Sequence, residues 1–327
     1  MFGQLFNYPV MTQNRRQFIA TTAMAGASIP FGTSLVSNLV SGKEKGFGVR
    51  LFSKPLDRYE TTFMCECIME AGIGGIDLTV RAGGKIEPAS VETLLPQFVE
   101  KAVRYGIKTD MMVTGILSAS DPFTERILKT ASSLGISHYR PGWMTYDLKS
   151  GVRESIAKFR SSLSDIDKLN RKYNISLSYQ NHSGTTIGGP VWDLDELMRD
   201  FSPEFTGIQY DVRHAMIEGA GSWPLGLNLV APHINTLAIK DFTWKSINGK
   251  PQVENVPLGE GVVDWDLYFT TVKSLKISVP VTLHVEYPLL EKGEENLSLP
   301  EQKSIIVRKL KKDYDFLTSN LLRYGLT

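Results

Sequence analysis

The sequence has few cysteines: two in 327 residues, Cys65 and Cys67. They stand two apart in a segment patterned as a helix, where positions i and i+2 face different ways. A disulfide between them is therefore geometrically poor, and no other cysteine or nearby histidine completes a metal clasp. Both thiols are expected to be buried as small hydrophobes. An excess of one charge is also missing, since 36 Lys and Arg balance 35 Asp and Glu to a net +1. That balance gives no electrostatic pull toward nucleic acid or an anionic membrane. No apolar run reaches the length of a membrane span, so no integral span is expected once a signal is removed. A glycine-rich phosphate loop after the first strand-like run is absent too. Ser53-Lys54-Pro55-Leu56 occupies that place, which argues against a doubly wound open sheet.

The N-terminal region differs from the rest of the chain. Asn14-Arg15-Arg16-Gln17-Phe18-Ile19-Ala20 puts adjacent arginines before a weakly apolar stretch rich in Ala, Gly, Ser and Thr. This reads as an export signal of the twin-arginine type with its linker over residues 1–42, and Met11 is an alternative initiator. The competing reading is an amphipathic first helix, which the lack of a helical period and of acidic residues disfavours. A periplasmic or otherwise exported protein is expected.

From residue 46 to 327 strand-like and helix-like segments alternate. Strands are expected at Phe47 to Ser53, Gly75 to Val80, Ile107 to Thr114, His138 to Gly142, Ile175 to His182, Gly207 to Asp211, Ile234 to Phe242 and Pro280 to Glu286. Helices are expected at Leu56 to Ala71, Val91 to Tyr105, Phe123 to Leu134, Val152 to Tyr173, Leu194 to Asp200, Leu225 to Val230, Trp265 to Leu275 and Glu301 to Leu322. Eight strand–helix pairs match a single α/β catalytic domain, a (β/α)8 TIM barrel. The longest connection, Thr243 to Asp264, exceeds a routine loop and is read as an arch over the site.

Four of the later runs end on chemically useful residues: Gln180-Asn181-His182, Asp211-Val212-Arg213-His214, Lys240-Asp241 and His284-Val285-Glu286. The C-terminal ends of strands are where (β/α)8 barrels keep their active sites. A glutamate on an apolar strand is costly to bury without a partner, so Glu286 is read as functional. Asp211 either caps the following segment or acts in the site. His214 is balanced between substrate contact and a satisfied structural histidine, and Lys240 between an internal ion pair and holding an enolate oxygen. Arg81 and Arg140, at the ends of the second and fourth strands, suit sugar hydroxyls or a carboxylate, with surface solvation as their rival. Trp143, Trp192 and Trp244 offer flat faces for a sugar ring or pack in the core.

Gly75-Ile76-Asp77-Leu78, Asn181-His182, Asp211 with His214, Lys240-Asp241, Leu258-Gly259-Glu260-Gly261 and Glu286 together resemble the sugar phosphate isomerase/epimerase family of xylose isomerase-like TIM barrels. The resemblance implies a divalent cation (Mn, Co, Zn or Mg) held by a Glu, an Asp, a His and a Glu from strands five to eight. Asp211 and Glu286 match that set, whereas Gln180 and Ala238 stand where the other Glu and the His belong. His284, two residues before Glu286 and on the same strand face, is the candidate replacement, so the expected metal set is Asp211, Glu286, His284 and Gln180.

The resemblance implies a carbohydrate isomerase or epimerase working by metal-assisted proton abstraction beside a sugar carbonyl. Glu286, His214 and Lys240 are its candidate catalytic residues; Arg81, Arg140, Asn181, His182 and Trp143 are its candidate substrate contacts. An amide at Gln180 takes no proton, which weakens a two-carboxylate epimerisation. A lyase or hydratase acting on 3-keto-glycosides through an enolate is the alternative, and a non-catalytic sugar-binding barrel the second. An apurinic endonuclease on the same barrel is disfavoured by the near-zero charge. The expected partner is a small carbohydrate, and a homo-oligomer is compatible with the sequence.

Overall fold

The computed structural model describes residues 48–326; the expected export signal lies outside the described residues. Eight parallel strands close into a barrel: β1 (Val49–Phe52), β2 (Gly75–Val80), β3 (Lys108–Thr114), β4 (His138–Arg140), β5 (Ser176–Gln180), β6 (Thr206–Asp211), β7 (Ile234–Ile239) and β10 (Val281–Leu283). β1 pairs with both β2 and β10, so the sheet has no open edge. Strands buried on two faces read as near-continuous apolar or small residues, and every residue of β2, β6 and β7 is buried.

The outer layer holds α1 (Thr61–Glu70), α2 (Val91–Arg104), α3 (Thr124–Ser133), α4 (Val152–Tyr173), α5 (Trp192–Met198), α6 (Val212–Gly219), α7 (Trp223–Val230), α8 (Trp265–Ser274) and α9 (Leu299–Arg323). Amphipathic spacing seats them: α2 buries Val91, Leu95, Phe98, Val99 and Ala102, one stripe of a 3.6-residue period. α9 starts with a capping box between Ser298 and Glu301. Among the described residues, no helix is long and apolar enough to cross a membrane. Cys65 and Cys67 are both buried free thiols on α1, as expected.

The main departure from the sequence reading lies in the connection expected over Thr243 to Asp264. It contains an antiparallel hairpin, β8 (Asp241–Ile247) with β9 (Lys250–Val256). Its turn is Asn248-Gly249, both at positive φ (52° and 74°), the pattern of a type I′ hairpin. The strand expected at Ile234 to Phe242 therefore stops at Ile239, and the chain leaves the barrel at the Lys240-Asp241 pair. Pro280 to Glu286 shortens to Val281–Leu283, leaving His284 and Glu286 on the loop just above the barrel. Leu225 to Val230 becomes part of α7, preceded by α6, which starts directly at the end of β6.

Candidate active site

Two residues at the end of β7 divide the work between the inside and the outside of the barrel. Asp241 faces the loop layer and is an almost wholly buried acceptor. Its Oδ2 accepts the N–H groups of Gly259 (3.0 Å) and Gly261 (3.1 Å) and the Trp265 indole N–H (3.1 Å), while Oδ1 accepts from Phe242 and Val263. A Cβ at Gly261 would overlap Asp241 Oδ1 and the Phe242 carbonyl, which explains the glycine there. Asp241 thus folds the Leu258-Gly259-Glu260-Gly261 segment onto the end of the strand and fixes the point from which Lys240 projects.

Lys240 is 3% exposed. Its Nζ lies 2.9 Å from His214 Nε2, 3.1 Å from Asp211 Oδ2 and 3.4 Å from Glu286 Oε2. Two of these three neighbours are carboxylate oxygens, which accept ammonium N–H bonds. Asp211 performs both roles weighed from the sequence: it belongs to this cluster, and as N-cap of α6 it accepts the His214 backbone N–H on Oδ1 at 3.1 Å. Gln180, at the end of β5, donates its amide to Asp211 Oδ2 at 2.8 Å. Both amide groups of Asn181 engage the Asp211 main chain, donating to its carbonyl (2.9 Å) and accepting its N–H (2.8 Å). Asn181, expected as a substrate contact, is placed as the clamp that sets Asp211.

Nε2 of His214 faces Lys240 Nζ, and Nδ1 faces Ser183 and Arg213. Nδ1 accepts the Ser183 backbone N–H at 3.1 Å, with Ser183 Oγ and Arg213 Nη1 each 2.9 Å away. Burial, followed by the charges of Lys240, His182 and Arg213, pushes the His214 pKa well below its usual value and keeps the ring neutral. His182 is tilted between His214 and Trp143, with ring centroids 4.1 and 4.3 Å apart. Its Nδ1 donates to the Ser183 carbonyl.

Glu286 is the cluster member that reaches solvent, with 22% of its side chain exposed. It lines a cavity of about 520 Å³ with Lys54, Arg58, Asn255, Tyr287 and Leu290. Burial by itself would raise its carboxyl, but the Lys240 ammonium and the His284 ring hold it far below the usual carboxylate range. His284 directs Nδ1 to Glu286 Oε1 (3.3 Å) and stacks on Phe52 with centroids 4.4 Å apart. Burial lowers its pKa.

Arg140, at the end of β4, is 3% exposed and lies 4.1 Å over the Trp143 ring. Burial and the neighbouring Arg81 lower it to about 10. Among the described residues, Arg140 Nε and Nη1, Trp143 Nε1 and His284 Nε2 have no hydrogen-bond partner. Trp192 and Trp244 are half exposed on the outside. The sequence reading did not single out Asp77 on β2, which is fully buried. Its Oδ2 accepts from Thr282, its Oδ1 has no partner, and burial lifts its pKa to about 6. Its Gly75-Ile76-Asp77-Leu78 run was the available signal.

The expected metal set does not close in this arrangement. His284 turns Nδ1 toward Glu286, Gln180 turns a donor rather than its carbonyl toward Asp211, Ala238 offers no ligand atom, and Lys240 stands between the two carboxylates. Among the described residues, no group of three or more His, Cys, Asp or Glu side chains is arranged to hold a metal ion.

A family model described as xylose isomerase-like TIM barrel matches residues 68–304. The chain belongs to that family. This xylose isomerase-like barrel is similar to several solved structures. One is a xylose isomerase domain protein from Planctomyces limnophilus, with 16% identity, TM-score 0.63, and 86% of this chain and 99% of that one covered. Another is a D-allulose 3-epimerase from Methylomonas sp. in complex with D-allulose, with 14% identity, TM-score 0.61, and 86% and 99% covered. A third is a probable 3-DHS dehydratase from Bacillus anthracis, with 15% identity, TM-score 0.61, and 83% and 99% covered. At these identities the likeness shows the fold. No curated protein sequence matches the chain.

Proposed function

We propose that this barrel is a carbohydrate isomerase or epimerase that removes a proton from the carbon beside a sugar carbonyl. The observation that carries the reading is the Glu286–Lys240–His214 chain, which places a carboxylate, a cation and a neutral imidazole in contact where a 520 Å³ cavity opens. Glu286 is the proton acceptor because it alone of the cluster lines that cavity. Its low basicity in the free protein comes from Lys240. A substrate carbonyl that takes a Lys240 N–H weakens that pairing and raises the carboxylate's basicity as the proton is needed. Lys240 then holds the oxygen on which enolate charge develops, a hydrogen bond that strengthens in the transition state. His214, neutral and bonded to Lys240, carries the second proton in place of the carboxylate absent at Gln180. The unpaired donors of Arg140 and Trp143 suit the hydroxyls of a sugar.

Elimination on a 3-keto-glycoside is the second reading, favoured by one observation: the position of the second carboxylate is an amide, Gln180, already donating to Asp211. Such a reaction requires one strong base only. We further propose, from Arg15-Arg16 and the apolar stretch after it, that the enzyme acts outside the cytoplasm. Incubation with free ketoses and with a 3-keto-glucoside in deuterated water tests the function. Deuterium uptake without aglycone release supports isomerisation, and release supports elimination. Neither outcome with any substrate would leave a sugar-binding barrel.

A further inference from the structure

We infer that the Lys240 ammonium is the resident cation of this site and takes the place of the divalent ion implied by the sequence resemblance. Three features of the geometry carry this. First, Nζ is enclosed by Asp211 Oδ2, Glu286 Oε2 and His214 Nε2 at 3.1, 3.4 and 2.9 Å. These are hydrogen-bond distances to an ammonium, whereas first-row metal ligands sit at about 2.0–2.2 Å. A metal cannot enter between the carboxylates without expelling the lysine.

Second, the acceptor capacity of Asp211 is largely taken. Oδ2 receives Gln180 Nε2 and Lys240 Nζ, and Oδ1 receives the His214 N–H. The Gln180 amide points its N–H groups at the oxygen a metal would require, which suits an aspartate paired with an ammonium. Third, Ala238 precedes Lys240 by two residues on the same strand face and sits in register with both Asp211 and Thr282. A methyl group there leaves the space to the lysine stem and supplies no ligand.

Two carboxylate oxygens, at 3.1 and 3.4 Å from Nζ, give the Lys240 ammonium its counter-charges. The ammonium supplies a fixed positive charge and one hydrogen-bond donor to a substrate oxygen, with no need for metal uptake. The inference concerns the unliganded site and stands whether or not the protein turns over a keto-sugar.

The test is metal binding, read without any activity assay. The protein is purified without chelator and its metal content measured, then Mn²⁺, Co²⁺, Zn²⁺ and Mg²⁺ are titrated singly by calorimetry and thermal unfolding. Wild-type protein is expected to carry far less than one equivalent, to give no saturable heat with any of the four and to keep its melting point in EDTA. Lys240→Ala, which vacates the space between Asp211 and Glu286, is expected to bind one ion per chain. A near-stoichiometric metal in the wild type, or a melting point lowered by EDTA, overturns the inference. So does a folded Lys240→Ala variant that binds none of the four ions. If the variant does not fold, the wild-type measurement decides.

Discussion

His214 Nε2 lies 2.9 Å from Lys240 Nζ, and the imidazole is kept neutral by burial and by the positive charges around it. The consequence is a pH dependence of stability with a definite sign. In the unfolded chain a histidine takes a proton near pH 6.5, whereas folded His214 resists it well below that value. Acidification from pH 7 therefore favours the unfolded state, and the slope approaches about 1.4 kcal/mol per pH unit for one such group. His214→Gln removes this group and keeps an amide facing Lys240. The stability of the wild type relative to the variant is expected to shrink by about 1 kcal/mol between pH 7 and pH 5.5 in urea unfolding. A difference independent of pH would show that His214 titrates normally in the fold.

Arg140 presents a guanidinium with two unpaired nitrogens beside Trp143. A charged hydrogen bond to substrate is worth about 1.5–3 kcal/mol. Arg140→Leu is expected to raise KM by about 10- to 100-fold with a smaller change in kcat, as befits binding shared by ground and transition states. Steady-state kinetics check it, and an unchanged KM would assign Arg140 to barrel packing alone.

Asp241 gathers five donors from the segment between β9 and α8, from the first residue of α8 and from its own neighbour. Asp241→Ala leaves several buried N–H groups unmatched, at about 1–3 kcal/mol each before relaxation. Gly261→Ala forces a methyl against the same carboxylate. Both variants are expected to unfold at lower temperature than wild type and to lose activity together with the position of Lys240. Wild-type melting in both would mean that the loop does not depend on this latch.

The sequence showed the barrel because buried parallel strands leave apolar runs that stop at polar residues, as at Gln209-Tyr210-Asp211 and Ala238-Ile239-Lys240. It led to the expectation that Gln180, Asp211, Lys240, His284 and Glu286 converge for the same reason, since strand order places the ends of β5, β6, β7 and β10 side by side. Three things were not legible. Asn248-Gly249 is a strong hairpin signal, but the residues next to the turn are mostly exposed, and Trp244, Ile247 and Val253 are separated by polar residues without a strict alternation. Asn181 reads as a polar strand-end residue whatever it does, and only its two bonds to Asp211 reveal the clamp. The place of Lys240 between Asp211 and Glu286 depends on side-chain direction rather than on spacing, and its effect on the expected metal set followed from that.

The account depends on Glu286 taking a proton from carbon. The most direct measurement follows deuterium incorporation beside the carbonyl of a keto-sugar in deuterated water, with wild type and Glu286→Gln compared after circular dichroism has shown the same fold. Wild type is expected to exchange that hydrogen catalytically, and the variant to exchange no faster than buffer. Exchange by the variant at the wild-type rate, or no exchange by the wild type with any ketose or keto-glycoside, would contradict the account.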